Sequence, residues 1–157
     1  MTKVYIASSW KNEPNVKWLA SFLREKGFEV DDFTDDRMGR FVFHYSELGP
    51  LEEHDAVSFL QHEKARRAFA EDKKMIDWAD AVILLLPAGR SSHLEAGYAK
   101  GSGKRLIIYQ SEFPKGEFDV MYGFADLITS NLYAIVDLLD QLHNEQIDKN
   151  QATLCFD

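Results

Sequence analysis

Apolar positions along this chain fall into two rhythms. Residues 4–7 (Val-Tyr-Ile-Ala), 81–86 (Ala-Val-Ile-Leu-Leu-Leu) and 105–109 (Arg-Leu-Ile-Ile-Tyr) are short continuous runs, which predict strands buried on both faces. Longer stretches repeat every three or four residues and predict helices. Residues 12–26 carry Val16, Leu19, Phe22 and Leu23 before Gly27 stops the helix. Residues 52–78 offer Phe59, Leu60, Phe69, Met75 and Ile76 as core candidates, with Glu63, Lys64, Arg66 and Arg67 solvated and one break expected. Residues 131–144 carry the clearest helical stripe: Leu132, Ile135, Val136, Leu138, Leu139 and Leu142. A second strand is expected at 28–30, and a helix from about 92 to 100 closed by Gly101-Ser102-Gly103. Residues 31–50 are acidic and aromatic without a period, which reads as a long loop of the kind that forms lids, and 111–116 reads as a turn.

Strands alternating with helices imply right-handed parallel crossovers. The expected fold is therefore α/β, a flavodoxin-like doubly wound parallel sheet of about five strands in the order 2-1-3-4-5, with helices on both faces and residues 1–157 forming one domain. That order sets strands one and three side by side at the switch point, where open α/β sheets bind ligands. Ser8-Ser9 and the Gly89 to Ser92 loop then share one crevice.

Composition narrows the partners. The 157 residues are 45% hydrophobic and 28% charged, within the globular range, and carry a net charge of −8. A field of that sign argues against a general nucleic-acid or anionic-membrane surface, while leaving room for a local basic pocket. The longest fully apolar run, 81–86, is far below the roughly 20 residues a membrane span needs, and no leader segment is expected. A single cysteine, Cys155, fits a reducing, cytoplasmic location.

The richest stretch for chemistry is Gly89-Arg90-Ser91-Ser92-His93-Leu94-Glu95-Ala96-Gly97-Tyr98-Ala99. Glu95 falls at the ligand edge of the sheet, where a carboxylate can act as a nucleophile on a small molecule. Ser92-x-x-Glu95 is equally the spacing of a helix capping box, in which serine and glutamate satisfy each other's free backbone donors. Arg90, Ser91 and Ser92 at a helix amino end offer N–H groups, hydroxyls and a guanidinium suited to a phosphate or carboxylate. No P-loop and no GxGxxG fingerprint occurs, so ATP or NAD binding through those motifs is not expected, and no cofactor is.

Asp72, Asp77 and Asp80 precede strand three; most acidic residues on such a helix form its wet face, and Asp80 most simply ends it. An aspartate held near Glu95 in a dehydrated crevice is different, because two carboxyls in unlike environments can divide nucleophile and acid roles. Five scattered histidines show no ligand spacing, so no metal site is expected. Ser8 and Ser9 lack a nucleophile-elbow context. Trp10, Trp18, Phe41, Phe43 and Tyr45 suit core or lid packing, and the 41–45 cluster can cover a flat ring.

With these residues in place, the chain resembles the nucleoside 2-deoxyribosyltransferase family, including its nucleotide N-glycosidase relatives. The resemblance spans Val4-Tyr5-Ile6-Ala7-Ser8-Ser9, Asp72 through Asp80, Gly89 through Ala99, and Asp119-Val120-Met121-Tyr122, and the third stretch is the specific one. It implies that Glu95 is the nucleophile and Asp72 the catalytic aspartate. It also implies that Tyr5, Ser8, Ser9 and Trp10 line the sugar and phosphate, and that Gly89, Arg90, Ser91 and Ser92 hold a 5′-phosphate. The implied partner is a small nucleoside or nucleotide, and the implied assembly is a homodimer or higher homo-oligomer, with Asp119 to Tyr122 or Phe156-Asp157 reaching across. Arg90 tilts the substrate expectation toward a monophosphate; hydrolysis and transfer both remain open. Alternatives of other classes are a non-catalytic nucleotide-binding or sensing module of the same fold and a flavin or signalling protein.

Overall fold

In the computed structural model, which describes residues 1–35, 37 and 39–154 and side chains through residue 151, five strands form one parallel sheet. They are β1 (Lys3–Ala7), β2 (Glu29–Asp32), β3 (Ala81–Leu85), β4 (Arg105–Tyr109) and β5 (Leu127–Thr129), in the order 2-1-3-4-5. The α-helices are α1 (Glu13–Glu25), α2 (Ala56–Gln61), α3 (Glu63–Trp78), α4 (Arg90–Gly101) and α5 (Leu132–Leu154). This is the expected flavodoxin-like architecture. Cys155 and Phe156-Asp157 lie outside the described residues.

The period of two along each strand sorts side chains between two apolar layers. Val4, Ile6, Ile83 and Ile107 face Val16, Leu19 and Leu23 of α1 together with Ile135 and Leu139 of α5. Tyr5, Ala7, Val82, Leu84 and Ile108 face Met75 and Ile76 of α3 together with Ala96 and Ala99 of α4. Tyr5 pairs in register with Asp31 of β2, so both point to the α3/α4 side.

The structure departs from the sequence pattern in several places. Strand two runs to Asp32 instead of ending at 30, because two acidic residues that read as loop are buried and served by arginines: Asp32 by Arg24 of α1 at 2.9 Å, and Asp31 by Arg40. The 52–78 helix is a short 3-10 turn (Leu51–Glu53), then α2 and α3 divided at His62, whose Nδ1 accepts from the Lys64 N–H. α5 continues ten residues past Asn144, since no glycine or proline follows to stop it. β5, three residues long with Ile128 exposed, is too short for a periodic signal and is docked by Asp126, which exchanges hydrogen bonds with the Leu106 backbone on both sides. Among the described residues no helix is long and apolar enough to cross a membrane.

Candidate active site

The carboxyl ends of β1 and β3 meet at the switch point and are fastened there. Ser8 Oγ donates to the Leu85 carbonyl at 2.8 Å and accepts from Asn12 Nδ2, so its hydroxyl braces the crevice. Ser9 caps the 3-10 turn Trp10–Asn12 by accepting from the Lys11 N–H. Trp10 packs edge-on against Phe33 at 4.8 Å.

Across the crevice, α4 begins two residues earlier than expected, at Arg90, with Gly89 as its N-cap and no side-chain cap. Ser92 is buried inside the first turn, and Glu95 belongs to the second. The capping box suggested by Ser92-x-x-Glu95 is thus not formed, because neither residue stands at a helix boundary where free donors need it.

Glu95 instead faces the Tyr5 hydroxyl and the charges of Asp72, Arg40 and Asp31. Arg40 comes from the loop after β2; its side chain is 1% exposed and ion-pairs with Asp31, which is fully buried, and with Asp72 of α3, which is 40% open to the cleft. The Arg40 guanidinium also lies 5.4 Å from the centre of the Tyr5 ring and donates a long hydrogen bond, 3.4 Å, to the Tyr5 hydroxyl.

Three carboxyls and a phenol around one guanidinium make an unusual electrostatic environment. Burial, with the neighbouring Asp72 charge, pushes the Glu95 carboxyl up to about 8, against the opposing pull of Tyr5 and Arg40. Burial raises Asp72 as well, with Arg40 resisting, and brings Asp31 to about 6. The Tyr5 phenol is raised well above its ordinary value by burial and by Glu95 and Asp72. Burial thus favours the protonated form of Glu95 at neutral pH, beside an Asp72 carboxyl that is ion-paired with Arg40. A protonated and an ionised carboxyl side by side is the equipment for acid and nucleophile chemistry.

Two neighbouring cavities share these acids in their linings. A polar cleft of about 340 Å³ is lined by Tyr5, Ser8, Ser9, Trp10, Lys11, Gly89, Ser91, Ser92, Arg40, Asp72 and Glu95, and roofed by Phe41, Phe43 and Tyr45. A lobe of about 470 Å³ lies on the other side of Asp72 and Glu95, between α3 and α4, and is walled by Phe43, Tyr45, Phe59, Leu60, Phe69, Ile76, Leu94 and Tyr98. Phe59, Leu60 and Phe69, read from the sequence as core, form this wall instead, with Phe69 and Leu60 largely exposed; helical spacing alone does not say whether an apolar stripe meets the sheet or a cleft.

The sequence-predicted site residues Tyr5, Ser8, Ser9, Trp10, Asp72, Gly89, Ser91, Ser92 and Glu95 thus surround one cleft, whereas Arg90 is exposed on the first turn of α4 and does not line it. Lys11 is the cation at the polar end, and Arg40 and Asp31 complete the acid cluster. Sequence reasoning missed all three: Lys11 follows a turn, Arg40 is a lone arginine in an aperiodic loop, and Asp31 was assigned to that loop. Asp77 and Asp80 are structural: Asp77 accepts from Tyr98 and Lys73, and Asp80 from the Lys3 N–H and Gln146. Among the described residues no three His, Cys, Asp or Glu side chains are grouped as a metal site.

No protein-family model matches the chain, and no curated protein is significantly similar to it. Solved structures do match. A 2-deoxyribosyltransferase from the psychrotolerant bacterium Bacillus psychrosaccharolyticus superposes with a TM-score of 0.60 at 18% identity, over 85% of this chain and 90% of that one. The CMP N-glycosidase of Clostridium botulinum gives 0.52 at 18% identity, over 88% and 99%. The chain shares their fold. A conserved protein from Enterococcus faecalis gives 0.57 at 14% identity, over 92% and 99%.

The raised Glu95 value has a consequence for stability. Folding takes up a proton between the ordinary 4.5 and about 8, so this contribution is full below pH 4.5 and lost as the pH rises through 8. Glu95→Gln, which cannot ionise, is expected to melt at a higher temperature than the parent at pH 9, with the difference shrinking toward pH 5. Thermal unfolding followed by circular dichroism at both pH values checks this; a lower melting temperature for the variant at pH 9 contradicts it.

Proposed function

We propose that this protein breaks the N-glycosidic bond of a nucleoside or nucleoside 5′-monophosphate and passes the sugar to water or to a second base. The observation that carries this reading is the placement of Glu95 and Asp72 on the wall shared by the polar cleft and the apolar lobe. A sugar phosphate suits the hydroxyl- and lysine-lined side. A flat base suits the aromatic side, which puts the bond joining them beside the two acids. The shared fold with a deoxyribosyltransferase and a CMP N-glycosidase supports the same chemistry.

In this mechanism the proton that burial holds on Glu95 passes first to Asp72; the bond between C1′ and the base nitrogen then breaks, and its electron pair goes to the base, which takes that proton from Asp72. The Glu95 carboxylate closes on C1′ through an oxocarbenium-like state and forms a glycosyl ester. Asp72 then takes a proton from water, whose oxygen attacks C1′, and the ester electron pair returns to Glu95. Attack by a second base in place of water gives transfer, and either route retains configuration at C1′. The Tyr5 hydroxyl, already accepting from Arg40, keeps its own proton for the Glu95 carboxylate.

The polar end holds the phosphate through Lys11, the Ser9, Ser91 and Ser92 hydroxyls and the amino end of α4, whose first N–H groups are free. Arg90 stands on the same turn at the rim of the cleft. A second copy of the chain covers the exposed apolar side chains of the outer lobe, Leu60, Phe69 and Leu94, and those of the segment near Val120 and Met121. Tyr122 is held to its own chain by His93 Nε2 at 3.2 Å, leaving Val120 and Met121 to reach outward.

Incubation with a panel of purine and pyrimidine nucleosides, deoxynucleosides and their monophosphates, with and without an acceptor base, is expected to release free base from at least one substrate. Glu95→Gln should abolish release while ligand-induced stabilisation persists; full turnover by that variant removes the nucleophile. For the parent, kcat/KM is expected to fall as the pH passes about 8, where Glu95 loses the proton that the leaving base needs. A profile flat from pH 6 to 10 contradicts this proton route.

Charge-assisted contacts contribute about 1.5–3 kcal/mol, or roughly 10- to 150-fold. Lys11→Ala is therefore expected to lower kcat/KM for a monophosphate by that factor and to spare the free nucleoside. Arg90→Ala is expected to act in the same direction but less, given its place at the rim. Equal losses on both substrates for Lys11→Ala would remove the phosphate assignment.

A further inference from the structure

We propose that Arg40 is the positioning residue of this site: clamped between Asp31 and Asp72, it fixes the Asp72 carboxyl and the aromatic loop over Glu95 and offsets the negative charge gathered there. The inference rests on the glycosyl-transfer reading of Glu95 and Asp72 given above, and adds a residue that reading does not use.

The geometry argues against a purely structural ion pair. A guanidinium and a carboxylate taken fully out of water gain little net stability, and an apolar pair of similar volume commonly does as well. The pair is also incompletely satisfied, since among the described residues Asp31 Oδ1 and Arg40 Nε find no hydrogen-bond partner. What the arrangement does provide is reach. One planar group contacts Asp31 on β2, Asp72 on α3 and Tyr5 on β1, and so joins three elements by a single side chain.

Arg40 also carries the loop. It directly precedes Phe41 and Phe43, which stack at 6.2 Å; Phe43 stacks in turn on Phe59, and Arg67 of α3 lies 3.9 Å from the Phe41 ring centre. Seating the guanidinium beneath the sheet edge therefore sets where the aromatic roof lies over the acids. Displacing it frees the Asp72 carboxyl and the roof together.

The charges facing Glu95 are Tyr5 from β1, Asp31 from β2, Arg40 from the loop and Asp72 from α3. Glu71 adjoins Asp72, and Asp32 adjoins Asp31 but is paired with Arg24 on the opposite face of the sheet. Lys11 and Lys73 border the cavities, and Lys73 is engaged with Asp77 at 2.6 Å. Arg40 is the cation in direct contact with the cluster, so its removal is expected to make Glu95 harder to ionise.

The test compares Arg40→Met and Arg40→Lys with the parent by two readouts. The first is titration of the Glu95 carboxyl by carbon-13 NMR, assigned by its loss in Glu95→Gln; it needs no turnover. In Arg40→Met, Glu95 is expected to titrate at clearly higher pH than in the parent, whereas Arg40→Lys restores the parent titration. The second is base release: kcat in Arg40→Met should fall about 10- to 100-fold with KM within about threefold, and Arg40→Lys should recover only part, since an ammonium cannot span both carboxylates. If Arg40→Met does not fold, Arg40→Gln, polar and uncharged, takes its place in both measurements. A folded uncharged variant with the parent's Glu95 titration overturns the proposal, as does an Arg40→Lys titration no closer to the parent than that of the uncharged variant. A parent that releases no base from any substrate would instead refute the proposed function, while the titration still decides the role of Arg40.

Discussion

A single buried guanidinium offsets the charge crowded at the carboxyl end of β1 and β2. Asp31, Asp72 and Glu95 converge there because β1 and β2 pair in register, placing Tyr5 and Asp31 on the face that α3 and α4 cover. Uncompensated, that many acids in a poorly hydrated space would all take up protons or push the helices apart. With Arg40 among them, burial pushes the carboxyls toward their neutral forms while the guanidinium pulls them toward ionisation, and two carboxyls in unlike environments suit the proposed chemistry.

The sheet was legible because its central strands are unbroken apolar runs, a signal that buried parallel strands cannot avoid producing. Its margins were not. Asp31 and Asp32 hid the end of β2 because a charged pair reads as loop unless the arginines that answer it are known, and those arginines lie in a helix and a loop remote in sequence. β5 has three residues and depends on Asp126 for its place, which no local pattern records.

The site divides along a similar line. Glu95 and the small residues around it form a contiguous motif, so a sequence displays them together, and Asp72 followed from the resemblance attached to that motif. The cap reading of Glu95 arose from spacing alone and failed because the helix starts two residues upstream. Arg40 and Lys11 are single cations that become meaningful only when the loop or turn bearing them is folded over the cleft. Arg90, read with Ser91 and Ser92 as suited to a phosphate, stands at the first position of α4 and is exposed, outside the cleft lining.

The two ends of the sheet are finished in different ways. At the amino end Asp80 accepts from the Lys3 backbone and from Gln146 of α5, and Lys104 donates to the carbonyls of Asp77 and Ala79, so strands, helix ends and connections are knitted into one floor. At the opposite end the Ser8 to Leu85 bond, the Leu86 N–H to Tyr109 carbonyl bond and the Arg40 clamp tie the strands, and above them stand loops and helix starts. Substitutions that change what the cleft accepts can therefore gather around Arg40 and Glu95 in the upper segments, 39–45 and 87–94, while the floor preserves the scaffold beneath them.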